Sequence, residues 1–484
     1  MVRIVLAIVA SSLLFAAPAA AEILVQDDVP LEEHAGRGAV GLYVPGDLHG
    51  RELVFELMRQ VEGSQVVAGP AGTLGRLRIG KPGPPTIYLE QPDPGEEGER
   101  GRYAIAVVGG GYHGVLRADS TRLDGLVTLD DVIDGRLEST SDTDAAATVE
   151  RLDDRISRND DVRLPLTILV VAATILTAIL RPRFAPRVVL LALALNLWLS
   201  PALALAAALA AVALPLGPAC LAVLAVYLAA LGLDAETVAL SPLGPSQVSR
   251  FYGVDNLTET FLLLPAFLGA ALLGRRLGLL VAAVAIVAVA GNRFGADGGG
   301  LLVLLAGYGV LGWRLSGRRL TWRSVAVLAA AVVAVGLALV GVDAITGGSS
   351  HVTSAIGDGP GALADDLGDR LRRSVERTWD AKGALVAVIA GLAVLGWTVT
   401  KRGDPVLDAL LAALAVSLVV NDTPSDVLAA GAACAVVLVR LPERSYARAA
   451  PPTGYRDEGE GRERTPRRVE RADRQPAGAG EPPG

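Results

Sequence analysis

From Leu164 to Leu441 the chain repeats one pattern: apolar stretches parted by short turns, several of them rich in arginine. The first stretch reads LPLTILVVAATILTAIL (164–180) and is followed by RPRFAPR (181–187). WRLSGRRLTWR (313–323), KR (401–402) and LPERSYAR (441–448) repeat the basic punctuation. Inside hydrocarbon every backbone N–H and C=O must find its partner within the protein, so continuous apolar stretches that cross it are helices. The chain as a whole is 51% hydrophobic, with a mean hydropathy of +0.45, which is too apolar for a soluble protein. The fold class expected is a polytopic α-helical membrane protein of about ten to eleven spans with a small N-terminal extracytoplasmic α/β domain.

The basic turns orient the chain, because short loops rich in Lys and Arg stay in the cytoplasm. Later spans fall at roughly 260–274, 277–291, 299–313, 324–345, 384–400, 405–420 and 426–440. The stretch 188–233 decides the parity; it is broken at Ser200-Pro201 and at PLGP (215–218). Two crossings there would leave Arg275 and Arg276 outside, or in mid-membrane within one long 261–290 span, where a charge costs at least about 3 kcal/mol. Three short segments, or one crossing with a re-entrant hairpin, bring both arginines inside with the others.

Ahead of the apolar half, MVRIVLAIVASSLLFAAPAAAE has the basic start, apolar middle and small-residue end of a secretory signal, over residues 1–21. Residues 22–163 then form the external domain. Its strand-like runs are 38–44, 86–90, 102–109 and 124–129, and helical spacing covers 51–63 and 142–160. Residues 164–441 are the membrane domain and 442–484, rich in Pro, Gly, Arg and Glu, a disordered cytoplasmic tail. The protein is placed in the cell membrane, with its N-terminal domain outside.

With this orientation the polar residues at span ends gather on the outer side. The candidate binding residues are Asp255, Asn256 and Glu259 in SRFYGVDNLTE, Asn292, Arg293 and Asp297 in GNRFGADGGG, His351 in the 347–383 loop, and Asn421 and Asp422 in NDTPSD. Ionisable groups beside hydrocarbon persist where they pair, line a wet cavity or do chemistry. The bland alternative for each is a turn or helix cap, since Asp, Asn and Gly dominate both. Within 361–381, Leu363, Leu367, Leu371, Val375 and Trp379 recur every fourth residue, the pattern of an amphipathic helix on the outer membrane surface or against the external domain.

Several chemistries find no support. GGGYHG (109–114) satisfies G-x-G-x-x-G after a strand, but the next strand begins too soon for the crossover helix a dinucleotide site needs. Cys220 and Cys434 lie in apolar stretches without Cys or His neighbours. His34, His49 and His113 are scattered, and the arginine excess reads as composition bias rather than nucleic-acid binding. No cofactor, metal site, catalytic residue or nucleic-acid partner is assigned. The partners expected are the bilayer and a lipid-linked or glycan precursor of the envelope.

GRGAVGLYVPG, YAIAVVGGGYHGVLRADSTRLDGLVTLDDV and the membrane motifs SRFYGVDNLTE, GNRFGADGGG, SH and ND together resemble a group of actinobacterial and firmicute polytopic membrane proteins. Their external domain is similar to the alkaline-phosphatase superfamily, and STRLDGLVTLDD looks like the segment near the end of such domains. The resemblance implies a degenerate phosphatase-like domain. It is too short for a working phosphatase and lacks an Asp with Ser/Thr nucleophile signature and a second set of metal ligands. The membrane motif of that group is similar to R-F/Y-Y-G-I-G-N-E; here Leu257 stands where its acid would be, and Glu259 lies beyond. The function expected is the handling or transport of an envelope component at the outer leaflet. A membrane-embedded transferase or hydrolase, and a non-catalytic scaffold, are the alternatives.

Overall fold

The computed structural model describes residues 22–26, 28–46, 53, 56–57, 59, 67–68, 77–79, 85–92, 101–248, 250–291, 294–295, 298–346, 382–401, 403–421 and 423–442. The signal segment, the 361–381 amphipathic stretch, the tail beyond residue 442, and Asn292, Arg293, Asp297, His351 and Asp422 lie outside the described residues.

The N-terminal part is built on one mixed sheet of strands β1 (Glu22–Gln26), β2 (Gly38–Val44), β3 (Val67–Ala68), β4 (Leu77–Ile79), β5 (Thr86–Glu90), β6 (Tyr103–Val108), β7 (Gly114–Arg117), β8 (Leu126–Thr128) and β9 (Glu138–Thr140), in the order β3-β4-β1-β5-β6-β2-β7-β9, with β8 also on β2. GAVGLYV is buried along its whole length because β2 is interior: β6 pairs antiparallel on one edge, while β7 and β8 share the other, both parallel. GGGYHG is the turn between β6 and β7, with Gly109, Gly110, Gly111 and Gly114 all at positive φ, and a strand follows it rather than a helix.

Each face of the sheet is covered. On one, Tyr43, Ile87, Ile105 and Val127 pack with Leu53, Leu57 and helix α2 (Leu129–Ile133). On the other, Val40, Leu42, Ala106 and Leu126 pack against Ala145, Val149, Leu152 and Ile156. Those four lie on α3 (Ala145–Leu180), one continuous helix where the sequence suggested a helix and then a separate span. Arg102 holds its side to the sheet, bonding Asp153 at 2.9 Å, Ser157 at 3.0 Å and Asp160 at 3.5 Å. On the short helix α1 (Leu31–Ala35), buried His34 stacks on Tyr88 with ring centroids 4.5 Å apart.

The rest is helical: α4 (Ala185–Leu195), α5 (Pro201–Ala213), α6 (Leu216–Leu233), α7 (Ala235–Ala239), α8 (Asn256–Ala290), α9 (Gly298–Leu315), α10 (Trp322–Thr346), α11 (Lys382–Val399), α12 (Pro405–Val420) and α13 (Pro424–Arg440). Among the described residues four helices, α3, α6, α8 and α9, are long and apolar enough to cross a membrane. The breaks expected at Ser200-Pro201 and near residue 215 are both present, separating α4, α5 and α6.

Helix α8 reverses within its length. Gly274 sits at φ 72°, ψ −178°, a conformation essentially restricted to glycine. Beyond it the chain folds back, so that a Cβ on Gly278 would meet the Ala270 carbonyl at 2.7 Å and one on Gly269 would meet Val281. Arg275 and Arg276 are therefore exposed at a hairpin tip, far from the sheet, instead of being held in mid-helix. At the same distal end Arg187 donates to the carbonyls of Ala211, Val212 and Leu214, satisfying the C-terminus of α5. Arg314 there pairs with Asp408 at 2.7 Å.

A Cβ at Gly274 meets no atom, so Gly274→Ala tests the backbone alone. It should destabilise the protein by about 1–3 kcal/mol, read as a lower thermal midpoint in detergent; an unchanged midpoint would mean the reversal does not need glycine. For His34, burial pulls the ring below its usual pKa of 6.5, aided by Arg37 and opposed by Glu33. The unfolded chain then binds the proton more readily, so the stability His34 contributes is complete above about pH 6.5 and is lost progressively as pH falls from there through its lower folded-state pKa. His34→Phe, which keeps the ring contact with Tyr88, should narrow the difference in thermal midpoint between about pH 7.5 and about pH 5.5.

Candidate functional site

At the sheet-proximal end of the bundle, polar residues from five segments meet. Arg163, on α3 two residues before Pro165, points its guanidinium across the bundle. It donates to the Gly244 carbonyl and to the Asp255 carboxylate, both at very short range, and to Asp426 Oδ2 at 3.3 Å. The three side chains are only 22%, 10% and 28% exposed for Arg163, Asp255 and Asp426, so the attraction is not fully screened.

Asp255 is the N-cap of α8, its Oδ1 accepting from Thr258 N at 2.9 Å. The capping alternative thus describes one of its oxygens, while the other belongs to Arg163. One turn along, Glu259 is fully buried and its Oε2 accepts from Asn421 Nδ2 at 3.4 Å. Asn421, just past the end of α12, also donates to Ser417 Oγ at 2.8 Å. Asn256 reaches the same two-helix corner, donating to Thr423 Oγ1 at 2.8 Å. Of the residues singled out in the sequence, Asp255, Asn256, Glu259 and Asn421 are brought together. Asn292, Arg293, Asp297, His351 and Asp422 fall outside the described residues.

The neighbouring loop is also held tightly. Asn196 donates to Ser241 Oγ at 2.9 Å and accepts from Leu243 N at 2.9 Å, fixing the turn that carries Gly244. Thr258 Oγ1 donates to the Leu243 carbonyl at 2.5 Å. Gly253 crosses Gly295 so closely that a Cβ would lie 2.0 Å from the Gly295 carbonyl, which also accepts from Val254 N and Arg250. Gly253 of SRFYG and Gly295 of GNRFG, read separately in the sequence, thus meet at one backbone crossing.

The sheet part touches this end directly. Arg122 of STRLDG, itself at φ 55°, lies over the Tyr252 ring at 3.9 Å. Ala239 and Leu240 belong to the same apolar cluster as one face of the sheet, and Asn159 donates to the Leu240 carbonyl at 2.7 Å. Of the two acids that follow STRLDGLVTL, the second is committed elsewhere: Asp131, 1% exposed, closes a capping box with Thr128 and accepts from Ser120 and from Arg136 at 3.4 Å. Exposed His113 contacts the Gly111 carbonyl of its own turn. Among the described residues no group of three or more His, Cys, Asp and Glu is placed to hold a metal.

Arg163, Asp426, Thr423, Ser417 and Arg122 were not picked out from the sequence. Asp426 lay inside the quoted NDTPSD turn, and Arg163 is the lone cation at the head of its apolar stretch, which was the available signal. The assembled set offers amide and guanidinium donors beside carboxylate and hydroxyl acceptors, a mixture suited to a hydroxyl-rich ligand rather than to a simple ion. Compared with known proteins, the chain matches no family model, no curated protein and no solved structure.

Removing the cation should leave a buried and a partly buried carboxylate, Asp255 and Asp426, without it. Arg163→Met is expected to lower stability by about 1–3 kcal/mol, less than a fully buried pair would lose because the group is partly wet. Adding Asp255→Asn, which keeps the cap, should recover part of that loss. A double variant no more stable than Arg163→Met in thermal unfolding would show that the two residues are not coupled.

Proposed function

We propose that this protein is an integral membrane protein that binds and moves a lipid-linked or glycan component at the outer leaflet of the cell membrane. The observation that carries the reading is the Arg163–Asp255–Asp426 cluster with Glu259, Asn421 and Asn256 beside it. It is a concentration of ionisable and amide groups at the ends of apolar helices, directly beneath the sheet.

In this reading α3 enters from outside, and α4, α5, α6, the two arms of α8, and α9 to α13 complete about eleven crossings. The support for that direction is the charge distribution. Arg181, Arg183, Arg187, Arg275, Arg276, Arg314, Arg318, Arg319, Arg323 and Lys401 all fall in the sheet-distal turns or at the helix ends beside them, which the positive-inside tendency assigns to the cytoplasm. The sheet part is then extracytoplasmic, after a cleaved signal, and the tail is cytoplasmic. Likeness of the sheet part to the alkaline-phosphatase superfamily belongs to the same proposal. It rests on the STRLDGLVTLDD motif; in this reading the loop, held against Tyr252 by Arg122, would keep a headgroup over the cluster rather than hydrolyse it.

The test uses the full chain in vesicles with a fluorescent polyprenyl-phosphate disaccharide, its leaflet distribution followed by quenching from outside and its chemistry by mass spectrometry. The wild type should move the probe and leave it intact, while Asp255→Asn and Glu259→Gln each slow movement by at least about tenfold. A chemically altered probe would replace this reading with an enzymatic one. Movement at the wild-type rate in both variants would overturn it.

A further inference from the structure

Beside the polar cluster lies an apolar groove of about 450 Å³, a volume within the range of small-molecule sites. Leu166, Val170 and Ala173 of α3 form one wall, Leu191 and Ala192 of α4 the other, and Leu243 closes the sheet-proximal end. On α3 the lining residues follow Arg163 at helical spacing, so the groove runs away from the guanidinium along the same side of the helix. Its closed end is one peptide bond from Gly244, whose carbonyl Arg163 binds. The groove therefore begins where the cluster ends.

The rim identifies what can enter. Leu169 is 63% exposed, Leu195 66% and Trp198 53%, so the opening faces sideways through apolar residues rather than toward water. With the chain oriented as proposed, those residues face the outer half of the hydrocarbon, and Trp198 stands at the depth favoured by interfacial aromatics. The span from Leu166 to Ala173 is roughly 10 Å at 1.5 Å per residue. A hydrocarbon chain laid along it would meet the apolar side chains of Leu166, Val170, Ala173, Leu191 and Ala192.

We infer that this groove holds the hydrocarbon chain of an outer-leaflet amphiphile whose hydroxyl-rich head is bound at Arg163, Asp255 and Asn256. The inference rests on the function proposed above and names its substrate class: a glycolipid or lipid-linked saccharide, entering laterally from the bilayer. The chain supplies apolar burial without specificity, and the polar cluster selects the head.

The experiment maps contacts on the wild-type full chain in vesicles of phosphatidylethanolamine and phosphatidylglycerol. The probe is an alkyl glycoside carrying a photoreactive diazirine in mid-chain. Adducts should concentrate on 166–173 and 188–198 by at least about tenfold over the equally exposed faces of 201–213 and 275–290. Excess unlabelled glycoside should suppress them, and Ala192→Trp, which fills the groove, should abolish them. Even labelling of all exposed apolar faces would overturn the inference, as would adducts undiminished in a folded Ala192→Trp protein. Equal groove labelling by phosphatidylglycerol with the same diazirine would overturn the choice of a sugar head, and crosslinking of the groove to a second copy would show a different occupant. If Asp255→Asn and Glu259→Gln move lipid normally while groove labelling persists, the transport reading fails and the groove assignment stands; transport lost in those variants with even labelling gives the converse.

Discussion

The bundle depends on one cation reaching across it. Arg163 connects α3 to the cap of α8, to the first turn of α13 and to the 241–244 turn, partners that lie 81 to 263 residues away from it in the chain. Burying a guanidinium beside hydrocarbon is costly, and the cost is offset only while both carboxylates and the carbonyl accept from it. That makes the arrangement close to all-or-none: a small displacement of α13 or α8 would leave a charge without its partner. Such a group resists gradual distortion and admits discrete rearrangement, which is the property a site that opens and closes requires.

Elsewhere the helices hold together by close approach. Lipid tails are as apolar as leucine, so burial from water adds little to association between membrane helices, and contact quality decides it. The chain meets this with small residues at crossings: a Cβ on Gly307 would lie 2.1 Å from the Phe267 ring, and one on Gly391 would collide with Leu428. The abundance of Ala and Gly therefore has a packing role in this half of the molecule, whatever its origin. The polar cluster supplies what small-residue packing cannot, a fixed register at the sheet-proximal end.

How far this was legible in the sequence differs by element, for physical reasons. Strands 38–44 and 86–90 showed because their apolar runs are long enough to be recognised, whereas GVLR and EST were lost because three or four residues carry no period and take their conformation from distant partners. The reversal at Gly274 was readable because two adjacent arginines cannot sit in mid-membrane, so a charge argument located a turn that hydropathy alone would have run through. The continuity of α3 was hidden by Pro165, which usually marks a boundary; here it sits where the helix passes from charged to apolar residues. Asp255, Asn256, Glu259 and Asn421 were visible as polar residues at apolar edges. Arg163 and Asp426 were not, because their meaning lies in pairings across 92 and 263 positions of chain that no local pattern encodes.

The sheet part is joined to the cluster in a way that restricts how a ligand could be sensed. Arg102 fixes the sheet to α3 at Asp153, Ser157 and Asp160, within about three turns before Arg163, so along that helix sheet and guanidinium move as one body. The second connection, Arg122 over Tyr252, reaches α8 through the 250–255 turn instead, which is pinned by Gly253 against Gly295. A shift of α8 relative to α3 therefore cannot leave both connections unchanged: either the Arg163–Asp255 pair or the Arg122–Tyr252 stack must give. Any rearrangement that opens the cluster toward the apolar groove must be registered at STRLDG, because that loop and the cluster share the same two helices.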